Sequence, residues 1–591
     1  MRIHIDHEPL AQRPPLRAVL AEFRPHRRVA VMGCIGVALT TASLAVLPLV
    51  VEKVVDNGIL DHSKGWVYAC AAVAAVLVVA QVVGSWLEVG FMGRFAEGYQ
   101  KDLRASMMEH LYALDLDYFT REPAGRLVSR LTSDVENLQQ FVQGGLSLVL
   151  RAVLLIVLVI TLMLFQSVPL TLAVLAVLPF LAAASLWYRP RAFRLQMRIR
   201  ETMATMLTHI NESLVGMRVV QAFAIEPEQH EVFRDVNLDT YDAKRRAGAV
   251  TAIYSASVEF LVPFALAVLI AVGAHMVANH TVQVGVIIAF SLYINRLFEP
   301  ILQFTELTNL LQAAGASWAR VFEFRATAPS VVDRPGAYDF VPSGGELRFD
   351  NVSFRYAPGA RDALSDVDLV IPAHERVAVV GTSGAGKSTF AKLVARFYDA
   401  SEGRVVIDGQ NLRDVTGSSL RRNVIVVPQE GFLFDGTVAD NVGVARGDAG
   451  RDEIEAACAA MGLGERISAI PGGLDAVVAN RGLTLSSGQR QLVALARAFL
   501  AEPDVIVLDE ATSNLDPATD ALVERAMQTL LADRTAVVIA HRINTAIRAD
   551  RVLVFEHGRV VEDGPPSELE LIPGGAFARW VAATREAALA S

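Results

Sequence analysis

The chain has 591 residues, of which 52% are hydrophobic and 20% charged, and its mean hydropathy of +0.37 is high for a soluble protein and incompatible with intrinsic disorder. Cys34, Cys70 and Cys458 stand far apart with no CxxC pair, which excludes a disulfide scaffold and a cysteine zinc site. The net charge is −9, with 28 basic and 27 acidic residues up to position 330 and 26 basic and 36 acidic after it. No part of the chain carries the concentrated positive field that a phosphate backbone demands, so no nucleic-acid partner is expected.

In chain order, residues 1–28 form an N-terminal segment with no cleavage-site pattern and an amphipathic stretch around Leu16 to Phe23. Six apolar stretches follow within 29–326: Val29 to Val51, Trp66 to Val89, Gly145 to Phe165, Val168 to Tyr188, Glu259 to Val277 and Gly285 to Leu297. Most approach the length needed to cross about 30 Å of hydrocarbon almost without charge, which argues against core helices of a soluble protein. The last is short. Arginines and lysines crowd the connections between the second and third and between the fourth and fifth stretches, whereas the other connections hold only Lys64. The positive-inside rule then places both long connections and both termini in the cytoplasm. Arginine supplies 48 of the 54 basic residues, which points to a GC-rich bacterial genome and hence to a bacterial plasma membrane. Among the span-associated charges Glu88, Arg151, Glu259 and Arg296, the pair Arg151 and Glu259 is expected at similar depth and able to meet.

The two cytoplasmic connections keep apolar residues at helical spacing, as in Leu127, Leu131, Val135 and Leu138, and contain few Gly or Pro. Helices extending well beyond the bilayer are expected, with short turning segments near Phe119 to Gly125 and Gly216 to Glu226 that meet something in the cytoplasm.

After Pro329, Pro335 and Pro342 the pattern changes, so 327–345 reads as a linker and 346–591 as an α/β domain. The buried strand Arg376 to Val380 leads into Gly381, Thr382, Ser383, Gly384, Ala385, Gly386, Lys387, Ser388 and Thr389, and then into an apolar helix. This is a phosphate-binding loop in the context it requires. Its glycines let backbone N–H groups wrap phosphates at a helix N-terminus, Lys387 reaches the β and γ phosphates of ATP, and Ser388 offers a hydroxyl to Mg²⁺. A second strand, Val505 to Leu508, ends in Asp509 and Glu510, one carboxylate for the metal and one to polarise water.

Leu485-Ser-Ser-Gly-Gln489, Ser513-Asn-Leu-Asp516, Gln429 and His541 complete an order and spacing that resembles the ABC transporter family over essentially the whole chain. The resemblance implies that Tyr356 stacks on adenine, that Gln429 is the Q-loop residue touching Mg²⁺ and that Ser486, Ser487, Gly488 and Gln489 are the signature. It further assigns Asp509 and Glu510 as the Walker B pair, Asp516 to the D-loop and His541 as the switch histidine. In the first half, Pro48 to Asp56, Phe119 to Arg130, Glu212 to Phe223 and Pro300 are similar to exporter-type half-transporters, in which a six-helix membrane domain is fused to one P-loop ATPase domain. The implied partners are a second half-transporter chain, the lipid bilayer and a small amphipathic substrate such as a drug, lipid or peptide. An exporter-fold importer and a membrane-bound regulatory ATPase are the alternatives. Two departures stand out: Ser487 replaces the first glycine of LSGGQ, and Asn480 replaces the usual acid two positions before Gly482. Both fit a heterodimer better than a homodimer.

Overall fold

The computed structural model describes residues 22–429, 431–464, 472–479, 482, 484–509, 517–540 and 542–590. The chain folds into two compact units, one of 1–111 and 125–327, the other of 112–124 and 328–591.

The first unit is helical. Among the described residues five helical runs are long and apolar enough to cross a membrane: Arg24–Leu60, Lys64–Ala113, Ala124–Gln166, Val168–Val215 and Glu226–Ala278. Lys64–Ala113 is a single helix of 50 residues, about 75 Å at 1.5 Å per residue, so it extends far beyond a bilayer as the periodicity predicts. The sixth expected stretch is the 19-residue helix Val284–Leu302, and the chain resumes as Phe304–Ala326 after a break at Gln303, three residues beyond Pro300. The third and fourth runs are joined by Ser167 alone. Its extended backbone (φ −160°) ends one helix while its hydroxyl accepts from Leu170 N, and Pro169 occupies the first turn of the next.

This unit's core centres on the last span, whose Phe290, Tyr293, Ile294, Leu297 and Phe298 are buried among Leu155, Val159 and Met163 and among Leu261, Ala265 and Leu269. The first and second runs meet through glycine. A Cβ on Gly36 would lie 2.4 Å from Glu88 N, and one on Gly84 would lie 2.6 Å from Thr40 Oγ1, so only bare backbone permits the crossing. Beside it, Arg151 Nη2 donates to both carboxylate oxygens of Glu88 at 2.6 and 2.7 Å. The expected meeting of Arg151 with Glu259 does not occur, because Glu259 is exposed and similar depth does not make two helices face each other. Arg296 lies 3.4 Å from Glu299 on its own helix.

Beyond the apolar stretches, Asp134 is 4% exposed and joins the third run to the segment after the last span. Arg320 Nε donates to Asp134 Oδ2 (2.9 Å), Ser317 Oγ donates to Oδ1 (2.9 Å), and Asn137 Nδ2 donates to Ser317 Oγ (3.1 Å). Phe23 packs edge-on against Phe95, Tyr99 and Trp318, which ties the described start of the chain to the same helices.

Among its described residues the second unit has twelve strands: β1 Leu347–Phe354, β2 Leu364–Ile371, β3 Arg376–Gly381, β4 Glu402–Ile407, β5 Gln410–Asn411, β6 Val424–Val427, β7 Gly436–Thr437, β8 Val477–Val478, β9 Val505–Asp509, β10 Thr535–Ile539, β11 Arg551–Glu556 and β12 Arg559–Gly564. β2-β1-β4-β5 form an antiparallel sheet, and β7 pairs with β8. The main sheet runs β12-β11-β3-β10-β9-β6, parallel except for the edge strand β12. Its central strands are near-continuous Val, Ile and Ala because both faces are covered.

The turning segment Tyr112–Ala124 belongs to this unit. Asp115 caps its short helix Leu116–Arg121 by accepting from Tyr118 N, and it also receives Ser330 N and Oγ from the linker. Partial burial opposes ionisation of Asp115, but these donors together hold its carboxyl below the usual range.

Candidate active site

In an open parallel sheet, ligands bind beyond the carboxyl ends of the strands. Here the ends of β3, β10, β9 and β6 lie side by side, with Val379 level with Ile539, Ile539 with Asp509, and Leu508 with Val427. The register therefore carries the loop beginning at Gly381, Ala540 just past β10, Asp509 at the end of β9, and Gln429 to one edge. Glu510, Asp516, His541 and Asn480 lie outside the described residues.

The loop from β3 needs its glycines for two reasons. Gly381, Gly384 and Gly386 have φ of +146°, +79° and +110°, where an L side chain is strained. A Cβ on Gly381 would also sit 2.2 Å from Phe555 O, and one on Gly386 would sit 2.7 Å from Ala363 O. Gly386 then caps the helix Lys387–Val394, whose Phe390, Leu393 and Val394 anchor it in the core against β1 and β3. Lys387 is 7% exposed, and its ammonium donates to Gly381 O at 2.8 Å and Thr382 O at 3.0 Å, so the loop's own carbonyls hold the cation at the helix start. First-turn amides, the helix dipole and a buried cation make an anion site.

Tyr356 follows β1 and is half-exposed. Its hydroxyl lies 2.9 Å from Thr389 Oγ1, its ring packs edge-on against Tyr398, and the Lys392 ammonium lies 5.7 Å from its centroid. Arg121, from the turning segment, donates to the Tyr356 carbonyl at 2.8 Å. Sequence reading missed this contact, since a separation of 235 positions hides it.

Asp509 is half-buried at the end of β9, Ser388 occupies the second position of the loop helix, and Gln429 is exposed just past β6. Among the described residues there is no cluster of three or more His, Cys, Asp or Glu that would cage a metal. One carboxylate, a hydroxyl and an amide are hard oxygen donors of the kind Mg²⁺ accepts while keeping waters and phosphates as its other ligands.

Ser486 caps the signature helix Ser487–Leu500: its hydroxyl accepts from Gln489 N at 3.2 Å, and Gln489 Oε1 accepts from Ser486 N at 2.8 Å. The pattern S-x-x-Q signals this capping box in sequence. Ser487 is exposed with ordinary helical backbone, so the missing glycine costs nothing locally, while Gly488 is buried. Arg490 Nη1 donates to Leu485 O at 2.7 Å and supports the turn before the helix, a role its sequence position does not announce. The signature helix belongs to a hydrophobic cluster of Leu492, Val493, Leu495 and Val523, whereas the loop helix packs in a different one. The fold therefore gathers the loop, Asp509 and the end of β6 at one edge and leaves the signature on a separate helical layer.

Comparison with known proteins agrees with this arrangement. Residues 30–301 match the ABC transporter transmembrane region and residues 364–513 match the ABC transporter domain. The chain is 34% identical over 573 residues to the uncharacterized ABC transporter ATP-binding protein YknV of Bacillus subtilis (strain 168), covering 97% of this chain and 94% of that one. It is 33% identical over 558 residues to the ATP-dependent lipid A-core flippase of Thiobacillus denitrificans, covering 93% and 95%. The structure of a bacterial Atm1-family ABC exporter with ATP bound superposes with a TM-score of 0.77 at 26% identity, covering 94% and 98%. A nucleotide edge of this design, carried on the same chain as a membrane-embedded helical unit and aligned with such relatives along nearly its whole length, makes the chain a member of the ABC transporter family, an exporter-type half-transporter with ATP-hydrolysing activity.

Proposed function

We propose that the chain exports an amphipathic substrate, a drug, lipid or peptide, across a bacterial plasma membrane as half of a dimer, with both termini cytoplasmic. The observation that carries the reading is the phosphate-binding loop at the edge of the parallel sheet, on the same chain as five helical runs able to cross a membrane. In this reading Gly381 to Thr389 hold the phosphates of ATP, Tyr356 stacks on adenine, and Ser388, Asp509 and Gln429 hold Mg²⁺, which neutralises charge on the phosphates when bound. Glu510 accepts a proton from the attacking water, and His541 orients the γ-phosphate.

A signature helix cannot close on the loop of its own chain, so Ser486, Ser487, Gly488 and Gln489, together with Asp516, face ATP held by the other half. Ser487 and Asn480 then act on the partner's nucleotide, which favours a heterodimer. The purified chain alone is expected to turn over ATP slowly and to gain activity with its partner, whereas vigorous turnover by a homodimer would contradict this. Direction and substrate are tested in proteoliposomes by measuring ATP-driven flux of fluorescent amphipathic cations and labelled lipids beside phosphate release. Outward flux supports export; inward flux, or turnover with no flux of any probe, would refute it.

The Tyr356 assignment has its own test. Tyr356→Ala is expected to raise the KM for ATP about tenfold, with kcat nearly unchanged, since base–aromatic stacking is worth about 1–3 kcal/mol. An unchanged KM would remove Tyr356 from the adenine site.

A further inference from the structure

The fourth run keeps an uncovered face where it leaves the apolar stretch that ends at Tyr188. One side of its helix Leu178–Val215 is covered: Leu181 and Thr202 are buried, and Tyr188 stacks on Tyr254 of the helix Glu226–Ala278 with ring centroids 4.2 Å apart. Beside that seam, at about 100° per residue, Phe180, Trp187, Arg191, Arg194 and Arg198 fall within an arc of about 60°. All five are exposed.

The charge along this stretch has one sign. No acidic residue occurs between positions 168 and 200, whereas Arg189, Arg191, Arg194, Arg198 and Arg200 all lie there. A guanidinium keeps its charge at any ordinary pH, so the positive field is permanent. Arg191 stands over the Trp187 ring, 4.6 Å from its centroid, and its Nη1 donates to Trp187 O at 2.9 Å, while Arg194 Nε donates to Pro190 O at 3.3 Å. These bonds hold the two side chains against their own helix. Among the described residues neither guanidinium has a carboxylate partner.

Height separates them from the next arginine. Headgroups occupy about 5 to 8 Å on each side of the hydrocarbon. Past Tyr188, Arg191 and Arg194 lie about 5 and 9 Å along the helix at 1.5 Å per residue, whereas Arg198 lies about 15 Å out, beyond that layer. There Arg198 does have a carboxylate beside it, Glu201 Oε2 at 3.3 Å from Nη1. The second run repeats the aromatic pairing just past its apolar stretch, with the Arg94 guanidinium 5.3 Å from the Phe91 centroid.

We propose that Trp187, Arg191 and Arg194 bind one anionic phospholipid of the leaflet bordering Tyr188, its phosphate between the two guanidinium groups and its acyl chain along Trp187 and Phe180. The planar forks match phosphate oxygens, and a net negative headgroup is favoured over a zwitterionic one by the unpaired positive charge. The site requires only that the fourth run cross the membrane. It therefore stands apart from the substrate and the direction of transport.

The test counts lipids bound to the full transporter in detergent by native mass spectrometry, with phosphatidylglycerol and phosphatidylcholine in competition. The unaltered protein is expected to prefer phosphatidylglycerol, and Arg191→Gln and Arg194→Gln are each expected to lower that preference about fivefold. Arg198→Gln should leave it unchanged. No preference in the unaltered protein, or an equal loss in Arg198→Gln, would overturn the proposal. So would displacement of the lipid by inorganic phosphate, which marks a free-anion site, or loss of the dimer when Arg191→Gln and Arg194→Gln are combined, which marks a protein interface. If the Gln variants fail to fold, the unaltered protein decides through salt, since a preference between exposed charges must weaken as ionic strength rises and one that stays constant overturns the proposal.

Discussion

Glu510→Gln is expected to leave ATP binding intact and to slow hydrolysis about 100-fold or more, because the amide keeps the carboxylate's shape but cannot take a proton from water. β9 ends at Asp509, level with Ile539 of β10 and one strand removed from β3, and Glu510 is the next residue in sequence. Single-turnover hydrolysis and nucleotide binding, measured on the same preparation, check both halves of the expectation. Near-normal single-turnover rates would reject Glu510 as the base. In a heterodimer with one weak site this change stops nearly all turnover, whereas two equal sites lose activity only when both chains carry it.

The second large effect is on folding. Removing either member of the pair Glu88 and Arg151 leaves the other uncompensated in an apolar setting, at an expected loss of about 3 kcal/mol, and the double change Glu88→Ala with Arg151→Ala should recover part of it. Glu259→Ala is the contrast. With Glu259 exposed and absent from the pair, its replacement should leave stability within about 0.5 kcal/mol. Thermal unfolding of the four proteins in detergent separates the cases. If Arg151→Ala and Glu259→Ala fall together while Glu88→Ala does not, the pairing in the structure is wrong.

The two carboxylates show how far linear pattern reaches. Sequence position places Arg151, Glu88 and Glu259 within the membrane runs, since depth along a helix is only 1.5 Å times residue count. Which of them meet depends on how the helices are rotated and which neighbours they contact, and here glycines at 36 and 84 bring the second run close to the first.

The nucleotide edge was legible because its chemistry is local. A loop that wraps phosphate needs glycines, a lysine and a hydroxyl within nine residues between a strand and a helix, and positive φ at Gly381, Gly384 and Gly386 accounts for that spacing. The long helices were legible for a similar reason, since crossing hydrocarbon demands unbroken apolar runs whatever lies beside them. Contacts between distant segments left no such trace: the donation from Arg121 to the Tyr356 carbonyl, the cap that Asp115 shares with Ser330, and the clasp of Arg320 on Asp134. Amino-acid pattern alone determined the membrane runs, the α/β domain and the residues of the phosphate-binding loop, because each depends on interactions a few residues apart. Tertiary structure alone decided which buried charges are paired, because a side chain's partner is set by the packing of helices and strands that the order of residues does not record.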